Sequence, residues 1–173
     1  MDKRLFYMCV LASEEIRYDL LPLHMYFYDI LGADMGFHYS IVKGGLESKY
    51  LYAMYNEYES QGYFTCNNDG YIEITINGSN YVNSSIISYI EMGIIEEVNY
   101  YRDLLTEELY IALVQSIYIL NSYKSSKLDF AETLLRKRSE FYNLVKYYSG
   151  VDESGINCVL GIVYENNYME RTI

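Results

Sequence analysis

Tryptophan is absent from this 173-residue chain, proline occurs once, histidine twice and cysteine three times. Each scarcity excludes something. Cys9, Cys66 and Cys158 are far apart, with no CxxC pair and no His/Cys cluster, so neither a disulfide framework nor a zinc site is expected. Reduced thiols of a cytoplasmic protein fit better. A histidine base needs a partner within hydrogen-bond reach. His24 lies in an apolar helical stretch and His38 between aromatics, so both read as structural residues. No stretch rich in Pro, Gly or Ser separates one part of the chain from another, and no internal repeat is visible. No apolar run approaches the roughly 20 residues that a membrane span needs. The N-terminal run 5–12 is followed at once by Ser13, Glu14 and Glu15 and reads as a buried first helix.

Positive charge is scarce as well. Thirteen lysines and arginines face 24 carboxylates, a net charge of −11. The imbalance is concentrated early: residues 1–100 hold five basic and fourteen acidic side chains, residues 101–173 eight and ten. Such a field repels phosphate backbones and attracts basic partners. It also serves plain solubility. The one basic cluster is Arg136, Lys137 and Arg138, with Lys146 beyond; it reads as a solvated helix face or a patch that meets an acidic surface.

Motifs for chemistry are missing too. The stretch VKGGLESK at 42–49 lacks the GxxxxGK[ST] spacing of a phosphate-binding loop. Neighbouring carboxylates such as Glu14 and Glu15, Glu96 and Glu97, or Glu107 and Glu108 point about 100° apart on a helix and do not make an acid/base pair. No enzyme, no metal and no cofactor is expected.

What the chain has is 51% apolar residues, enough for a packed core, and 23 tyrosines. A tyrosine joins a large apolar ring to a polar tip, which suits interfaces; codon bias of an AT-rich genome would produce the same count.

Apolar spacing predicts a first helix over 2–13, with Leu5, Met8, Cys9 and Leu11 or Ala12 inward. Asp19 is placed to cap a second helix carrying Pro22 in its first turn, with Gly32 at its end. An extended piece is expected at 37–39 and a break at Gly44 and Gly45. A third helix spans 46–61, with Leu51, Met54, Tyr55 and Tyr58 on its buried stripe, and Gly62 stops it. The runs YFTC and YIEITI flank Asn67-Asn68-Asp69-Gly70, the strongest local signal for a hairpin. Ile72, Ile74 and Ile76 are expected to face inward, and Tyr71, Glu73 and Thr75 outward. Beyond it, helices are expected from 84 or 85 to 105 (with Ile87, Ile90, Ile94, Val98 and Tyr101 in register and Gly93 as a weak point), from a Thr106 cap, and from a capping box at Ser126 and Asp129 to 148. The uncharged run 156–163 reads as a terminal strand.

Three helices and a hairpin in this order make a winged helix. The expected fold is α+β and mostly helical: a winged-helix-like part over 1–82 with a β-hairpin, then a helical extension with a terminal strand over 83–173, packed as one unit. A DNA-reading winged helix needs a basic face, yet residues 37–82 hold two lysines against five carboxylates.

The stretch from Leu21-Pro22-Leu23-His24-Met25-Tyr26-Phe27-Tyr28 through an aromatic loop, a helix, Gly62 and a hairpin resembles small bacterial and phage winged-helix proteins related to the Panacea antitoxin domain. Gly44 and Gly45 stand where those proteins have Gly-Pro, and the lysines of their first motif helix are missing. The resemblance covers residues 4–82. It implies a setting of phages, mobile elements or toxin–antitoxin systems and transfers no catalytic residue.

Two functions compete. One is an acidic protein-binding module, an inhibitor or regulator of antitoxin, anti-restriction or anti-CRISPR type whose negative surface engages a basic nucleic-acid-handling protein as a DNA mimic. The other is a dimeric DNA-binding regulator that reads a groove with the third helix. For either, the residues expected to meet a partner are Lys49, Tyr52, Asn56, Glu57 and Glu59 on that helix, with Asp69, Tyr71 and Glu73 on the hairpin. Strong DNA binding and membrane association are not expected; a homodimer through the C-terminal half is.

Overall fold

A computed structural model describes residues 1–43, 45–121 and 138–149, together with Ser154 and Asn157. Among these residues the chain is mostly helical with two small antiparallel hairpins, an α+β arrangement. The elements are α1 (Lys3–Ala12), α2 (Leu21–Tyr28), β1 (Ser40–Val42), β2 (Gly45–Glu47), α3 (Lys49–Ser60), β3 (Phe64–Cys66), β4 (Ile72–Ile74), α4 (Ile76–Ser84), α5 (Tyr89–Leu104), α6 (Glu107–Asn121) and α7 (Arg138–Ser149). They fall into two compact units, residues 1–98 and 99–173, with the boundary inside α5.

In the first unit α1 is buried almost all round, from Leu5 to Ala12, and α2 is buried along its whole length. Asp2 caps α1: its Oδ1 accepts from the backbone N–H groups of Arg4 (3.0 Å) and Leu5 (3.4 Å), two of the donors that a helix start leaves open. The core of this unit mixes aliphatic and aromatic side chains, with Phe6, Tyr7, Phe27, Tyr28, Tyr55 and Phe64 fully enclosed.

The helix α3 starts at Lys49 rather than at 46, because Ser48 takes extended geometry and its Oγ accepts from the Leu51 N–H at 3.3 Å. The residues before it form the hairpin β1–β2, in which Ile41 pairs with Leu46 and Lys43 takes a positive φ of 46° in the turn. Gly45, expected to be part of a break, opens β2, and the extended piece sits at 40–42 instead of 37–39; Gly44 lies outside the described residues. At its other end α3 stops as expected. The Gly62 N–H donates to Glu59 and the Tyr63 N–H to Tyr58, with Gly62 at φ 83°, the left-handed helix stop that favours glycine.

β3 and β4 form the expected antiparallel hairpin, with Thr65 opposite Glu73. A third segment, 16–18, lies along the outer side of β4: the Ile72 N–H donates to Ile16 (2.8 Å) and the Tyr18 N–H to Gly70 (2.8 Å), with Arg17 opposite Tyr71. Ile72 is buried and Ile74 half-buried, but Ile76 is exposed. The strand ends at Ile74, two residues earlier than expected, because Thr75 caps α4, its Oγ1 accepting from the Gly78 N–H and donating to the Gly62 carbonyl at 2.6 Å. Residues 76–84 are therefore a helix packed on α1 and β4, where the sequence suggested the end of the hairpin.

Two further expectations are corrected. Asp19 does not cap α2; it lies in a 3-10 turn, Tyr18–Leu20, and pairs with Arg17, while α2 begins without a side-chain cap. The helix expected from 84 or 85 starts at Tyr89, and Ile90 faces solvent, while Ile94, Val98 and Tyr101 are buried as expected. Gly93 does not break it. In the second unit Thr106 caps α6, its Oγ1 accepting from the Leu109 N–H at 3.3 Å, and α6 packs against α7 through Leu113, Ser116, Ile117, Leu120 and neighbours. The capping box at 126–129, Arg136, Lys137, Cys158 and, apart from Asn157, the terminal strand lie outside the described residues.

Two glycines separate conformational strain from close packing. At Gly70 φ is 83° and an added Cβ would meet nothing within 4 Å; at Gly78 φ is ordinary but an added Cβ would lie 2.1 Å from the Tyr63 carbonyl oxygen and 2.7 Å from Ile74. An alanine in a helix normally gains about 0.5–1 kcal/mol over glycine. Gly78→Ala is expected to reverse that sign and to cost about 1–3 kcal/mol, because α4 must shift off the hairpin. Gly70→Val is expected to cost about 1 kcal/mol or more through backbone strain alone. Denaturant unfolding measures both; a Gly78→Ala protein as stable as its parent would contradict the packing of α4 against Tyr63.

Candidate functional site

The face that α3 and the β3–β4 hairpin turn outward is built on a tyrosine stack. Tyr18, from the strand-like segment, has its ring 5.0 Å from Tyr52 and 4.9 Å from Tyr55, and Tyr55 stacks on Phe64 at 4.8 Å. This column holds α3 over the hairpin. Burial pushes the Tyr52 phenol up to about 12, with Tyr18, Glu47 and Asp19 adding to the shift. Tyr52 is thus half-buried in the stack, while Lys49, Asn56 and Glu57 are exposed beside it.

Glu59 is spent on structure. Its Oε1 accepts from the Tyr55 hydroxyl (3.1 Å) and from the Cys66 backbone N–H (3.0 Å), so it ties α3 to the outer edge of β3. A carboxylate on that edge also occupies a strand donor that would otherwise be open for pairing. The remaining expected residues, Asp69, Tyr71 and Glu73, are exposed on the hairpin. Asn67 organises them: its Oδ1 accepts from the N–H groups of Asp69 and Tyr71, both at 3.0 Å, and its Nδ2 donates to Glu73 at 2.8 Å. An Asn side chain that bonds two residues onward closes a turn without help from the rest of the fold.

The structure brings into this neighbourhood residues that sequence reasoning left out. Because 16–18 runs along β4, the exposed acids Glu14, Glu15 and Asp19 flank the strand that carries Tyr71 and Glu73. The segment is too short for period-two alternation to reveal it; the signal available was three β-prone residues, Ile16, Arg17 and Tyr18, directly before a proline-containing helix.

The cations of the first unit are used internally. Lys3 pairs with Glu91 at 3.5 Å and Arg17 with Asp19. Arg4 donates to the Met35 carbonyl (2.8 Å) and the Tyr50 hydroxyl (3.1 Å), and its guanidinium lies 5.3 Å from the Phe37 ring centre and 5.2 Å from that of Tyr50. Lys43 and Lys49 remain as the cations that face solvent without an ion pair among the described residues.

Cys9 is buried and its thiol is pushed up to about 12; exposed Cys66 is raised as well, by burial and then by Glu59 and Glu73, so neither favours a thiolate. His24 is buried, His38 exposed. Among the described residues no three His, Cys, Asp or Glu side chains gather as metal ligands, and no helix is long and apolar enough to cross a membrane. Asp29 is half-buried and accepts from the Met35 N–H (2.6 Å) and the Tyr39 hydroxyl (2.9 Å). Burial raises its pKa against the pull of those two hydrogen bonds.

Two expectations follow. Asn67→Ala is expected to lower stability by about 1–2 kcal/mol, more than Asp69→Ala, since it opens two backbone hydrogen bonds of the turn. Equal melting temperatures for the two variants would contradict this. For Asp29, a folded-state pKa above the unfolded one means that stability is fullest at low pH and falls as pH rises through the folded pKa. Asp29→Asn keeps the acceptor for Met35 without the buried charge, so it is expected to melt no lower than the parent at neutral pH and to lose its relative advantage on acidification. Melting curves at both pH values check the sign.

Comparison of the chain with protein-family models, with curated proteins and with solved structures finds no match, so the reading of this face rests on its own geometry and charge.

Proposed function

We propose that this protein is a non-enzymatic, acidic protein-binding module on a winged-helix scaffold, a phage or mobile-element regulator or inhibitor of antitoxin, anti-restriction or anti-CRISPR type. Its partner is a basic protein that handles nucleic acid, met in the cytoplasm. The order α1, segment 16–18, α2, α3, β3 and β4 supports the winged-helix reading, with β1–β2 inserted before α3. The observation that carries the functional reading is the fate of the cations. Three of the five basic side chains of the first unit serve internal pairs, and the outward face of α3 and the hairpin offers Glu57, Asp69 and Glu73 beside Tyr71 with Lys49 as its cation. A surface of that composition suits a pocket built for phosphate, and its tyrosines supply contact area at low entropic cost.

The second reading, a dimeric DNA-binding regulator, is favoured by one observation: Lys49 and Asn56 are exposed on α3, where a reading helix would carry its contacts. One lysine gives a weak counterion-release term, which argues against it. A dimer, in either reading, forms through the C-terminal half, where the charge is least one-sided.

The expected outcome in an anisotropy titration is no measurable affinity for random duplex DNA at physiological salt. Micromolar, salt-weakened binding would decide for the regulator. In a panel of restriction and RNA-guided nucleases, the protein is expected to block DNA binding by at least one. A variant carrying Glu57→Gln, Asp69→Asn and Glu73→Gln is expected to block it at least about tenfold less well, the equivalent of ~1.4 kcal/mol.

A further inference from the structure

A second surface of the first unit lies on the opening turns of α5. Its first turn is fixed by a reciprocal cap: the Ser88 N–H donates to Glu91 Oε2 (2.8 Å) and the Glu91 N–H to Ser88 Oγ (3.2 Å), while Lys3 pairs with the other oxygen of Glu91. Ile94 and Val98 point inward. Tyr89, Met92, Gly93 and Glu96, spaced i, i+3, i+4 and i+7, therefore share the opposite side, with Ile90 on its shoulder and Ile86 just ahead of the helix. The exposures are high: Ile86 92%, Tyr89 92%, Ile90 73% and Met92 41%. Four large apolar side chains open to solvent within seven residues exceed the scattered surface apolar residues of an ordinary monomer. Gly93 adds a notch, since an added Cβ there would meet nothing within 4 Å.

Charge selects the occupant. Residues 84–98 contain no lysine or arginine; Glu91 is buried and paired with Lys3, while Glu96 is exposed, within a unit holding five basic and fourteen acidic side chains. A second copy would bring like charge to like charge. A cationic chain with apolar anchors meets both requirements, and methionine adapts its shape to such anchors.

We infer that the outward face of α5 around Tyr89, Met92 and Gly93, with Ile86 and Ile90, docks a basic amphipathic helix of the partner protein. Its apolar side chains lie over the Gly93 notch and its lysines or arginines beside Glu96. The inference rests on the proposed function and adds to it the partner's chemistry and a second contact away from the hairpin.

The test uses the full chain and two labelled probes of equal length: a helical Leu/Lys peptide with one apolar face, and the same peptide with serine for each leucine. The expected result is a preference of about tenfold or more for the Leu/Lys peptide. That preference is lost when Tyr89→Ser, Ile90→Ser and Met92→Ser are combined, and reduced by Gly93→Gln, which fills the notch and favours the helix, so that a fall in melting temperature of the triple variant leaves a second probe. Retention of the preference in both variants overturns the surface. Loss of it instead in an Asp69→Asn, Glu73→Gln variant overturns the surface while the proposed function stands. Binding of neither peptide sinks both. A dimer in light scattering that the triple variant abolishes assigns the face to a second copy and overturns the proposal.

Discussion

The carboxylate of Asp2 takes hydrogen bonds from two helices at once, and the first unit depends on it. One oxygen closes the start of α1; the other accepts from the Tyr58 hydroxyl of α3 at 2.6 Å. The backbone N–H of the same residue donates to the Tyr81 hydroxyl of α4 at 2.8 Å. Three helices thus meet at one residue near the chain's beginning. Burial and the neighbouring carboxylate push the Tyr58 phenol well up, so it stays a donor at any physiological pH. With α3 held at its C-terminal end by Tyr58 and Glu59, and nearer its start by the Tyr18–Tyr52 and Tyr18–Tyr55 contacts, the direction of its outward face is set.

That dependence explains what could be read from the sequence and what could not. Elements announced by local chemistry were legible: the Thr106 cap, the glycine stop after α3 and the Asn-Asp-Gly hairpin. Elements fixed by competition between two local signals were not. Ser48 could sit inside a helix begun at 46 or cap one begun at 49, and the pairing of Ile41 with Leu46 decides for the cap. Thr75 fits an outward strand position, yet its hydroxyl reaches the Gly62 carbonyl and starts α4 instead. The third strand-like segment, 16–18, was hidden by its length, since its hydrogen bonds are long-range.

The candidate face was legible in composition more than in geometry. Lys49, Asn56, Glu57, Asp69, Tyr71 and Glu73 are exposed, as a reading of helix and strand faces gives them. Tyr52 and Glu59 lie on the same faces but are drawn inward, one into a ring stack and the other onto the edge of β3. No periodicity distinguishes an exposed glutamate from one that reaches a strand edge seven residues along the chain; only the fold does. The acids at 14, 15 and 19 join this neighbourhood for the same reason, through pairing that the sequence does not announce.

The acidic charge of the first unit meets a particular use of its few cations. A protein that grips phosphate keeps its lysines and arginines at the surface, where counterion release supplies affinity. Here Arg4 lies against the rings of Phe37 and Tyr50 and is bonded to Met35, Lys3 holds the start of α5, and Arg17 pairs with Asp19. The fold therefore consumes the side chains that DNA would require and leaves carboxylates outside. Moving a lysine outward would not restore a phosphate grip without also loosening α1, the loop at 35–37 or α5. The acidic exterior is in this sense coupled to the packing of the interior: the interactions that stabilise the first unit are the ones that make its outer face negative.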